Sequence, residues 1–156
     1  MNLLRDTFDR SSVVKLVPSS DQDKDYFRQL NDHAYRALVV KQFGYWDETI
    51  QGNNFENKWQ EQNFQKIIVD GQLIGGLWVE EFEEYHQLRE IQLWPDFRNL
   101  GFGTRLVKEE IRKARLAGRK LRLRVLIQNP AVALYKRLGF VITGTTTEQY
   151  QMVHEG

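Results

Sequence analysis

The sequence predicts a mixed α+β fold with about four helices and a mostly antiparallel sheet of six or seven strands. Two apolar, β-branched runs flank Asp70-Gly71, a dipeptide that strongly favours a two-residue hairpin. Apolar residues recur at helical spacing from Phe27 to Leu38 and again from Leu106 to Ala114. No repeat, low-complexity linker or change of composition divides the chain. We therefore expect a single domain over residues 1–156.

The first part of the chain predicts one strand followed by two helices. Ser12–Val17 is a short β-branched run and predicts the first strand. Ser20, with a carboxylate three residues later, is a typical start of a helix, which we expect to run to about Phe43. The apolar spacing in Phe55–Gln62 predicts a second, shorter helix.

The middle of the chain predicts a meander of three strands. Gln65–Val69 and Leu73–Phe82 are the two arms of the Asp70-Gly71 hairpin, and Tyr85–Trp94 returns beside them through another short connection. Short connections of this kind join antiparallel neighbours. These strands therefore supply the antiparallel part of the predicted sheet.

The last third predicts two more helices and three more strands. Gly118 ends the third helix, and Leu121–Ile127 is the next strand. Proline at the first turn after Asn129 starts a fourth helix, which closes at Gly139. The final strands are predicted at Phe140–Thr145 and Glu148–Val153.

Composition excludes several classes of site. The chain has no cysteine and three scattered histidines, so disulfides, thiolate nucleophiles and cysteine-ligated zinc are excluded and we expect no metal. The N-terminal MNLLRDTFDR has no signal-peptide core, and no run approaches the roughly 20 apolar residues of a membrane span. We therefore expect a cytoplasmic protein that binds no membrane.

Charge is balanced overall but segregated along the chain. The net charge of +1 argues against a dedicated nucleic-acid binder, yet residues 98–124 carry a net charge of +8 and residues 80–90 one of −4. The basic stretch is either a solvated helix face or an attractant for phosphate groups. The acidic stretch favours a cationic partner.

The turn Arg98-Asn-Leu-Gly101-Phe-Gly103 lies between a strand and a basic helix. Its glycines let a ligand approach the backbone, and the first N–H groups of a helix favour an anion. A P-loop is excluded because Gly103 is followed by Thr104-Arg105, and Leu106 stands where the dinucleotide fingerprint needs a glycine. A simple tight turn remains the alternative.

These residues resemble the pyrophosphate-binding motif, Gln/Arg-x-x-Gly-x-Gly/Ala, of the GNAT superfamily of acyl-CoA-dependent N-acyltransferases. A second GNAT-like signature follows at the expected distance: Asn129 comes directly after a strand, and Tyr135 lies on the next helix in Leu-Tyr-Lys-Arg-Leu-Gly-Phe. The resemblance implies a twisted sheet with helices on both faces and a splay between its two central strands. Two motifs in the right order are more specific than either alone.

The resemblance implies acetyl-CoA as co-substrate, with no metal. Its pantetheine arm is expected to pair with unpaired backbone groups at the splay, where a backbone N–H also stabilises the oxyanion. Asn129 is expected to hydrogen-bond this arm, and Tyr135 to protonate the departing thiolate. The cofactor-binding residues expected on this basis are Leu93, Trp94, Arg98, Asn99, Leu100, Gly101, Phe102, Gly103, Thr104 and Asn129.

The general base is less clearly indicated. Positions that commonly hold a glutamate in the family hold Gln87 and Arg124 here, which leaves Glu90 as the candidate catalytic base. Glu90 alternatively forms a structural ion pair with Arg89, Arg122 or Arg124. A water chain or an already neutral amine is a further alternative.

The expected reaction is direct transfer of an acetyl group, within a ternary complex, to a primary amine of a small molecule or peptide. We expect the amine between residues 45–64 and 80–90, with Trp46 contacting it, although Trp46, Phe55, Trp59 and Phe64 are favoured as packing residues. A non-catalytic protein that binds CoA, another nucleotide or RNA is the alternative. We expect a monomer or homodimer.

Overall fold

The computed structural model describes residues 12–61 and 63–156, so the N-terminal segment that bears on targeting lies outside the described residues. The strands found there are β1 Val14–Pro18, β2 Gln65–Val69, β3 Gln72–Glu81, β4 Tyr85–Leu93, β5 Lys120–Leu126, β6 Val141–Thr145 and β7 Gln149–His154. The α-helices are α1 Lys24–Phe43, α2 Glu48–Gln60, α3 Phe102–Leu116 and α4 Ala131–Arg137. Short 3-10 turns precede α1 and follow β4. The predicted fold class is confirmed.

The strands form one seven-stranded sheet in the order β1-β2-β3-β4-β5-β7-β6. The pairs β1–β2, β2–β3, β5–β7 and β7–β6 are antiparallel, and β4–β5 is parallel. A parallel pair needs a long crossover, which the chain supplies with α3. The sheet is thus mostly antiparallel, as the meander predicts.

The parallel pairing of β4 with β5 ends early. Its last register pair is Leu88 with Leu123, although β4 continues to Leu93 and β5 to Leu126. The final five residues of β4 therefore extend beyond its register with β5. The family resemblance implies a splay of the two strands beyond this last register pair.

The described residues cluster into two compact units. One comprises residues up to Trp78 together with Glu90–Leu100, and the other comprises Val79–Arg89 and Gly101–Gly156. In the first unit, residues from α1, α2 and β3 and the residue directly before β2 build an aromatic core. Its buried members are Phe27, Leu30, Phe55, Trp59, Phe64 and Trp78.

Helix α1 begins and ends where the sequence predicts. The backbone N–H of Ser20 donates to the Asp23 carboxylate at 2.9 Å in a capping box, and one 3-10 turn separates this cap from Lys24. At the other end Gly44 adopts φ +89°, a left-handed conformation that glycine reaches without a Cβ clash.

Helix α2 is longer than predicted. It begins at Glu48 rather than Phe55, because Asp47 caps it by accepting a hydrogen bond from the N–H of Ile50 at 2.9 Å. The polar residues between Asp47 and Phe55 weaken the apolar period that the prediction used. The cap at Asp47 was the available signal.

The hairpin between β2 and β3 is confirmed. Asp70 and Gly71 have φ values of +48° and +83°, as a two-residue type I′ turn requires, and Val69 pairs with Gln72. In the second unit the predicted stripe of α3 is buried, including Leu106, Val107, Ile111 and Ala114. The two final strands predicted from the sequence form the antiparallel pair β6–β7.

Candidate active site

The turn between β4 and α3 is shaped by two left-handed residues. Asn99 has φ +61° and Gly101 φ +89°, and α3 begins at Phe102. Asparagine is among the few residues with a side chain that visit this region routinely, whereas a β-branched residue at Gly101 is strained. The glycine that the motif requires is therefore required by the backbone as well.

Space around the glycines fits the approach of a ligand. A Cβ built on Gly101 or on Gly103 meets no atom within 4 Å. Gly103 has no unusual backbone conformation, since it lies in the first turn of α3. A glycine that neither φ nor local crowding demands at position 103 is consistent with a surface kept clear for a ligand.

The start of α3 presents backbone donors to that space. The first hydrogen bond within the helix runs from the N–H of Arg105 to the carbonyl of Gly101 at 3.0 Å. The amides of Gly103 and Thr104 precede it, and the N-terminal amides of a helix, with the positive end of its dipole, favour an anion. The turn thus has the groups that a diphosphate needs.

Arg98 anchors this turn to the end of β4. Its Nε donates to the carbonyl oxygen of Leu93 at 2.9 Å, and partial burial lowers the pKa of its guanidinium from the ordinary value. Arginine nevertheless stays charged at neutral pH. Arg98 therefore combines a positive charge beside the turn with a structural role that its place in the motif does not reveal.

The backbone at Trp94 is paired, so the expectation of unpaired groups there is wrong. Its N–H donates to the carbonyl of Ile74 at 3.1 Å, and its carbonyl accepts from the N–H of Phe97 at 2.9 Å. Neighbouring residues of a strand direct their N–H groups to opposite edges. The N–H of Leu93 therefore faces away from β3.

The indole of Trp94 contributes packing to the first unit. Its Nε1 donates to the Tyr26 hydroxyl at 2.8 Å, and the His33 ring lies 4.8 Å from it between centroids. Burial raises the pKa of the Tyr26 hydroxyl, which keeps it a neutral partner for the indole. These contacts hold the β4 end against α1.

Glu90 lies in a polar cluster that joins β4 to α1 and α2 within the first unit. Its Oε1 is 2.7 Å from the Nζ of Lys58, and its Oε2 accepts a short hydrogen bond from the Tyr35 hydroxyl. The Lys58 ammonium also lies 4.7 Å from the centre of the Tyr35 ring. Only 7% of the Glu90 side chain is exposed.

Two buried amides complete this cluster, which we call the Glu90 cluster: Asn31, Tyr35, Lys58, Glu90 and Gln92. The Nε2 of Gln92 donates to the Oδ1 of Asn31 at 3.1 Å and to the Oε2 of Glu90 at 3.3 Å. Lys58 donates to the same Asn31 oxygen at 3.4 Å. Gln92 and Asn31 are 2% and 3% exposed, so the cluster is a buried polar network.

The ion-pair partner predicted for Glu90 is wrong. Arg89 pairs instead with Glu80 at 3.0 Å, as expected for a neighbour whose side chain points to the other face of the strand. Arg122 stacks over the Tyr85 ring at 4.1 Å. The partner of Glu90 is Lys58, which comes from a helix that starts earlier than predicted.

Trp46 lies in the connection between α1 and α2. It is half-buried, Arg36 lies 5.8 Å from its ring centre, and its Nε1 is buried without a hydrogen-bond partner among the described residues. The other three aromatics of this segment belong to the core, which confirms the packing interpretation for them. The Trp46 indole thus has a donor that a ligand can satisfy.

Asn129 and Tyr135 lie in the second unit. The Oδ1 of Asn129 accepts from the N–H of Ala131 at 2.9 Å, so it caps the first turn of α4, and its NH₂ group takes no part in this cap. Tyr135 is buried, and its ring packs edge-on against Phe140 at 5.6 Å. Both residues thus have structural contacts in addition to the roles expected of them.

Basic residues of α3 and α4 border an open groove in the second unit. Arg105, Lys108, Arg112, Arg115 and Arg137 line it. Glu109 offsets part of this charge, because it accepts hydrogen bonds from Arg112 at 2.9 and 2.5 Å. The groove is a positive surface that follows the predicted phosphate turn along the chain.

Sequence reasoning missed most of the Glu90 cluster. Gln92 could have been predicted as a member, because residues i and i+2 of a strand share a face and Gln92 therefore lies beside Glu90. Tyr35 and Lys58 are separated from Glu90 by 55 and 32 positions, and nothing local marks them. Over residues 12–61 and 63–156 we find neither a helix able to cross a membrane nor a group of metal-ligating side chains.

Fold and site together define the class. Residues 60–142 match the model of the GNAT acetyltransferase domain, and the chain belongs to this family of acyltransferases. An uncharacterised N-acetyltransferase of Methanocaldococcus jannaschii is 32% identical over an alignment of 131 residues that covers 76% of this chain. The chain spans only about half of that relative, 56% of its length.

Solved structures share the fold at low sequence identity. The PaiA N-acetyltransferase of Thermoplasma acidophilum, in complex with coenzyme A, has a TM-score of 0.73 at 17% identity, covering 92% of this chain and 99% of that one. Arabidopsis thaliana Naa50, in complex with the bisubstrate analogue CoA-Ac-MVNAL, has a TM-score of 0.62 at 15% identity, covering 90% and 97%.

Proposed function

We propose that this chain is an N-acetyltransferase that moves the acetyl group of acetyl-CoA directly to a primary amine. The observation that carries the proposal is the turn before α3. It combines the left-handed Gly101, the open space at Gly103 and the helix amides in one motif. Coenzyme A is bound in the structure of the PaiA relative, which supports the same choice of co-substrate.

In the proposed complex the diphosphate of CoA binds residues 98–104. Gly103 and Thr104 donate backbone N–H groups, and Arg98 supplies positive charge. Asn99, Leu100, Gly101 and Phe102 shape the turn, and the basic groove along α3 adds long-range attraction. The NH₂ group of Asn129 hydrogen-bonds the pantetheine arm, and Trp94 supports this site by fixing the end of β4.

The chemistry is attack by a neutral amine on the thioester carbonyl. The new C–N bond forms, the C–S bond breaks, and the nitrogen loses one proton. The N–H of Leu93 stabilises the oxygen that gains negative charge in the transition state. Tyr135 protonates the departing CoA thiolate, and holding both substrates together supplies much of the acceleration.

Glu90 is the proposed proton acceptor, within limits that its contacts impose. A carboxylate has about four acceptor positions, and Tyr35, Lys58 and Gln92 occupy three of them. One position is left for a proton from the amine. The same contacts support the rival role of Glu90 as the anchor of α2, in which case the amine binds already deprotonated.

The proposed acceptor is a primary amine of a small molecule or peptide that lies near Trp46. The unpartnered indole N–H of Trp46 suits a carbonyl oxygen of the acceptor. The Naa50 complex carries a bisubstrate analogue with a peptide part, which supports a peptide among the acceptors to be tried first.

A non-catalytic CoA-binding protein is the second candidate. It is favoured by the engagement of Glu90 in an ion pair and of the Asn129 oxygen in a helix cap, since both are stable roles without catalysis. Both candidate functions use the turn at residues 98–104 to bind CoA. The two therefore differ in turnover and not in affinity for CoA.

Thiol release separates these candidates. Wild-type protein is incubated with acetyl-CoA and a panel of amino acids, polyamines, small amines and peptides, and mass spectrometry identifies the products. We expect thiol release matched one to one by an acetylated amine. Coenzyme A binding without amine-dependent release would support the non-catalytic candidate, and loss of release in Gly101→Val would tie the activity to the turn.

Further parts of the proposal concern the setting of the chain. We propose that residues 1–156 act as a single N-acetyltransferase domain in the cytoplasm, as a monomer or homodimer, without nucleic acid or membrane. The near-zero net charge of +1 and the absence of cysteine support this setting. Cell fractionation and light scattering test location and oligomeric state.

A further inference from the structure

The Glu90 cluster contains one acceptor atom that the protein leaves unused. The Oε1 of Gln92 is buried and accepts no hydrogen bond from the described residues, although the side chain is only 2% exposed. Buried side-chain oxygens are nearly always hydrogen-bonded, because an unmade bond leaves the desolvation of the atom uncompensated.

The orientation of the Gln92 amide is fixed by its neighbours. Its Nε2 faces the Oδ1 of Asn31 and the Oε2 of Glu90, and both of these atoms accept hydrogen bonds. Turning the amide over would place Oε1 against the two oxygens. The Asn31 amide is fixed in the same way, because its oxygen also accepts from Lys58.

The backbone of Gln92 is held as firmly as its side chain. A Cβ built on Gly75 of β3 would lie 2.1 Å from the Gln92 carbonyl oxygen, so only glycine permits this close approach. The side chain of Gln92 lies on the same strand face as that of Glu90 and directly precedes Leu93. The unused acceptor therefore belongs to a residue that lies along β4 between the residue of the proposed base and that of the proposed oxyanion donor.

We propose that Gln92 Oε1 is a substrate-binding atom that accepts a hydrogen bond from the acceptor amine, or from one water that the amine holds, and so directs the amine toward Glu90. The inference rests on the proposed function and adds to it a residue that lies outside the two motifs described above. A neutral primary amine suits the site, since one of its two N–H groups donates to Gln92 while the other proton goes to Glu90.

The experiment compares two variants that break the same internal hydrogen bond from opposite sides. Gln92→Met removes Oε1 and both hydrogen bonds of Nε2, to Asn31 and to Glu90, while keeping the length of the side chain. Asn31→Leu removes the bond between Gln92 and Asn31 and leaves Oε1 in place. Steady-state kinetics with the best amine of the panel, acetyl-CoA affinity by calorimetry and melting temperature are measured for both.

We expect Gln92→Met to raise the acceptor KM, or to lower kcat/KM for the acceptor, by about tenfold with unchanged acetyl-CoA affinity. Asn31→Leu is expected to lower the melting temperature by about as much as Gln92→Met does. It should change the acceptor KM and kcat/KM clearly less than Gln92→Met.

Two failures are distinguishable. Equal kinetic effects of the two variants in an active wild-type background would overturn the inference and make Gln92 a packing residue. A wild-type protein that binds acetyl-CoA but acetylates no amine would overturn the proposed function, and the inference with it.

Discussion

The turn at residues 98–104 and the Glu90 cluster are built in contrasting ways. The turn is assembled from consecutive residues, and its shape follows from Asn99, Gly101 and the start of α3. The cluster is assembled from α1, α2 and β4, and its five side chains come from distant parts of the sequence. A site built from consecutive residues can be predicted from a sequence motif. A site built by packing of distant segments can be identified only once the fold is known.

The contrast predicts that the turn carries the largest single effect on acetyl-CoA binding. Gly101→Val should raise the acetyl-CoA Kd at least about 100-fold, because it distorts the backbone that presents the helix amides. It should also cost about 1–2 kcal/mol of stability, since valine is strained at φ +89°. Calorimetry and thermal unfolding measure the two effects.

Gly103→Val is the matched control for backbone strain. It places the same side chain in open space on an ordinary helical residue, so the melting temperature should change little while affinity falls. If both variants bound acetyl-CoA with wild-type affinity, the turn would not be part of the binding site.

The next largest effect is expected at Tyr135. Tyr135→Phe keeps the ring against Phe140 and removes the hydroxyl proton, so kcat should fall by roughly 10²-fold with little change in melting temperature. Pre-steady-state kinetics establishes that chemistry limits the rate. An unchanged kcat under that condition would leave Tyr135 with its packing role alone.

Loss of a contact between distant segments in the Glu90 cluster is expected to lower the free energy of unfolding. Lys58→Met leaves the Glu90 carboxylate without its ion-pair partner and should cost about 1–3 kcal/mol, less than for a fully buried pair because Lys58 is 29% exposed. Adding Glu90→Gln should recover part of that loss. Chemical denaturation of both single variants and the double variant gives the coupling energy, and strictly additive losses would mean that the pair contributes nothing to stability.

The smallest effect is expected at Trp46. Trp46→Ala should raise the acceptor KM by about fivefold and leave the acetyl-CoA KM unchanged, because the indole lies beside α1 and α2 and away from the turn along the chain. Trp46→Phe is the control that keeps an aromatic ring but lacks the unpartnered N–H. Parallel changes in both KM values would argue against an acceptor role.

Prediction from sequence succeeded where the determinants are local. The Asp70-Gly71 hairpin, the capping box at Ser20 and the buried stripe of α3 follow from short patterns, and the structure contains each of them. The start of α2 failed because polar residues after Asp47 conceal the helical period, although the cap was visible. Local rules therefore located the elements more reliably than their full lengths.

In the candidate site too, the features set by adjacent residues were predicted and those set by packing of distant residues were not. The motif gave the turn, but it gave no sign that Arg98 holds the Leu93 carbonyl or that the Trp94 backbone is paired. The cluster partners Lys58 and Tyr35 approach Glu90 only after α1 and α2 pack on β4. No pattern of adjacent residues encodes that approach.

Hydrogen–deuterium exchange tests the division of the site most directly. Exchange is measured for the wild-type protein alone, with CoA, and with an amine acceptor together with CoA. We predict that CoA slows exchange at Gly103–Arg105, and that the acceptor adds protection around the Glu90 cluster in α1 and α2. Protection by CoA at the cluster with no change at Gly103–Arg105 would contradict the account.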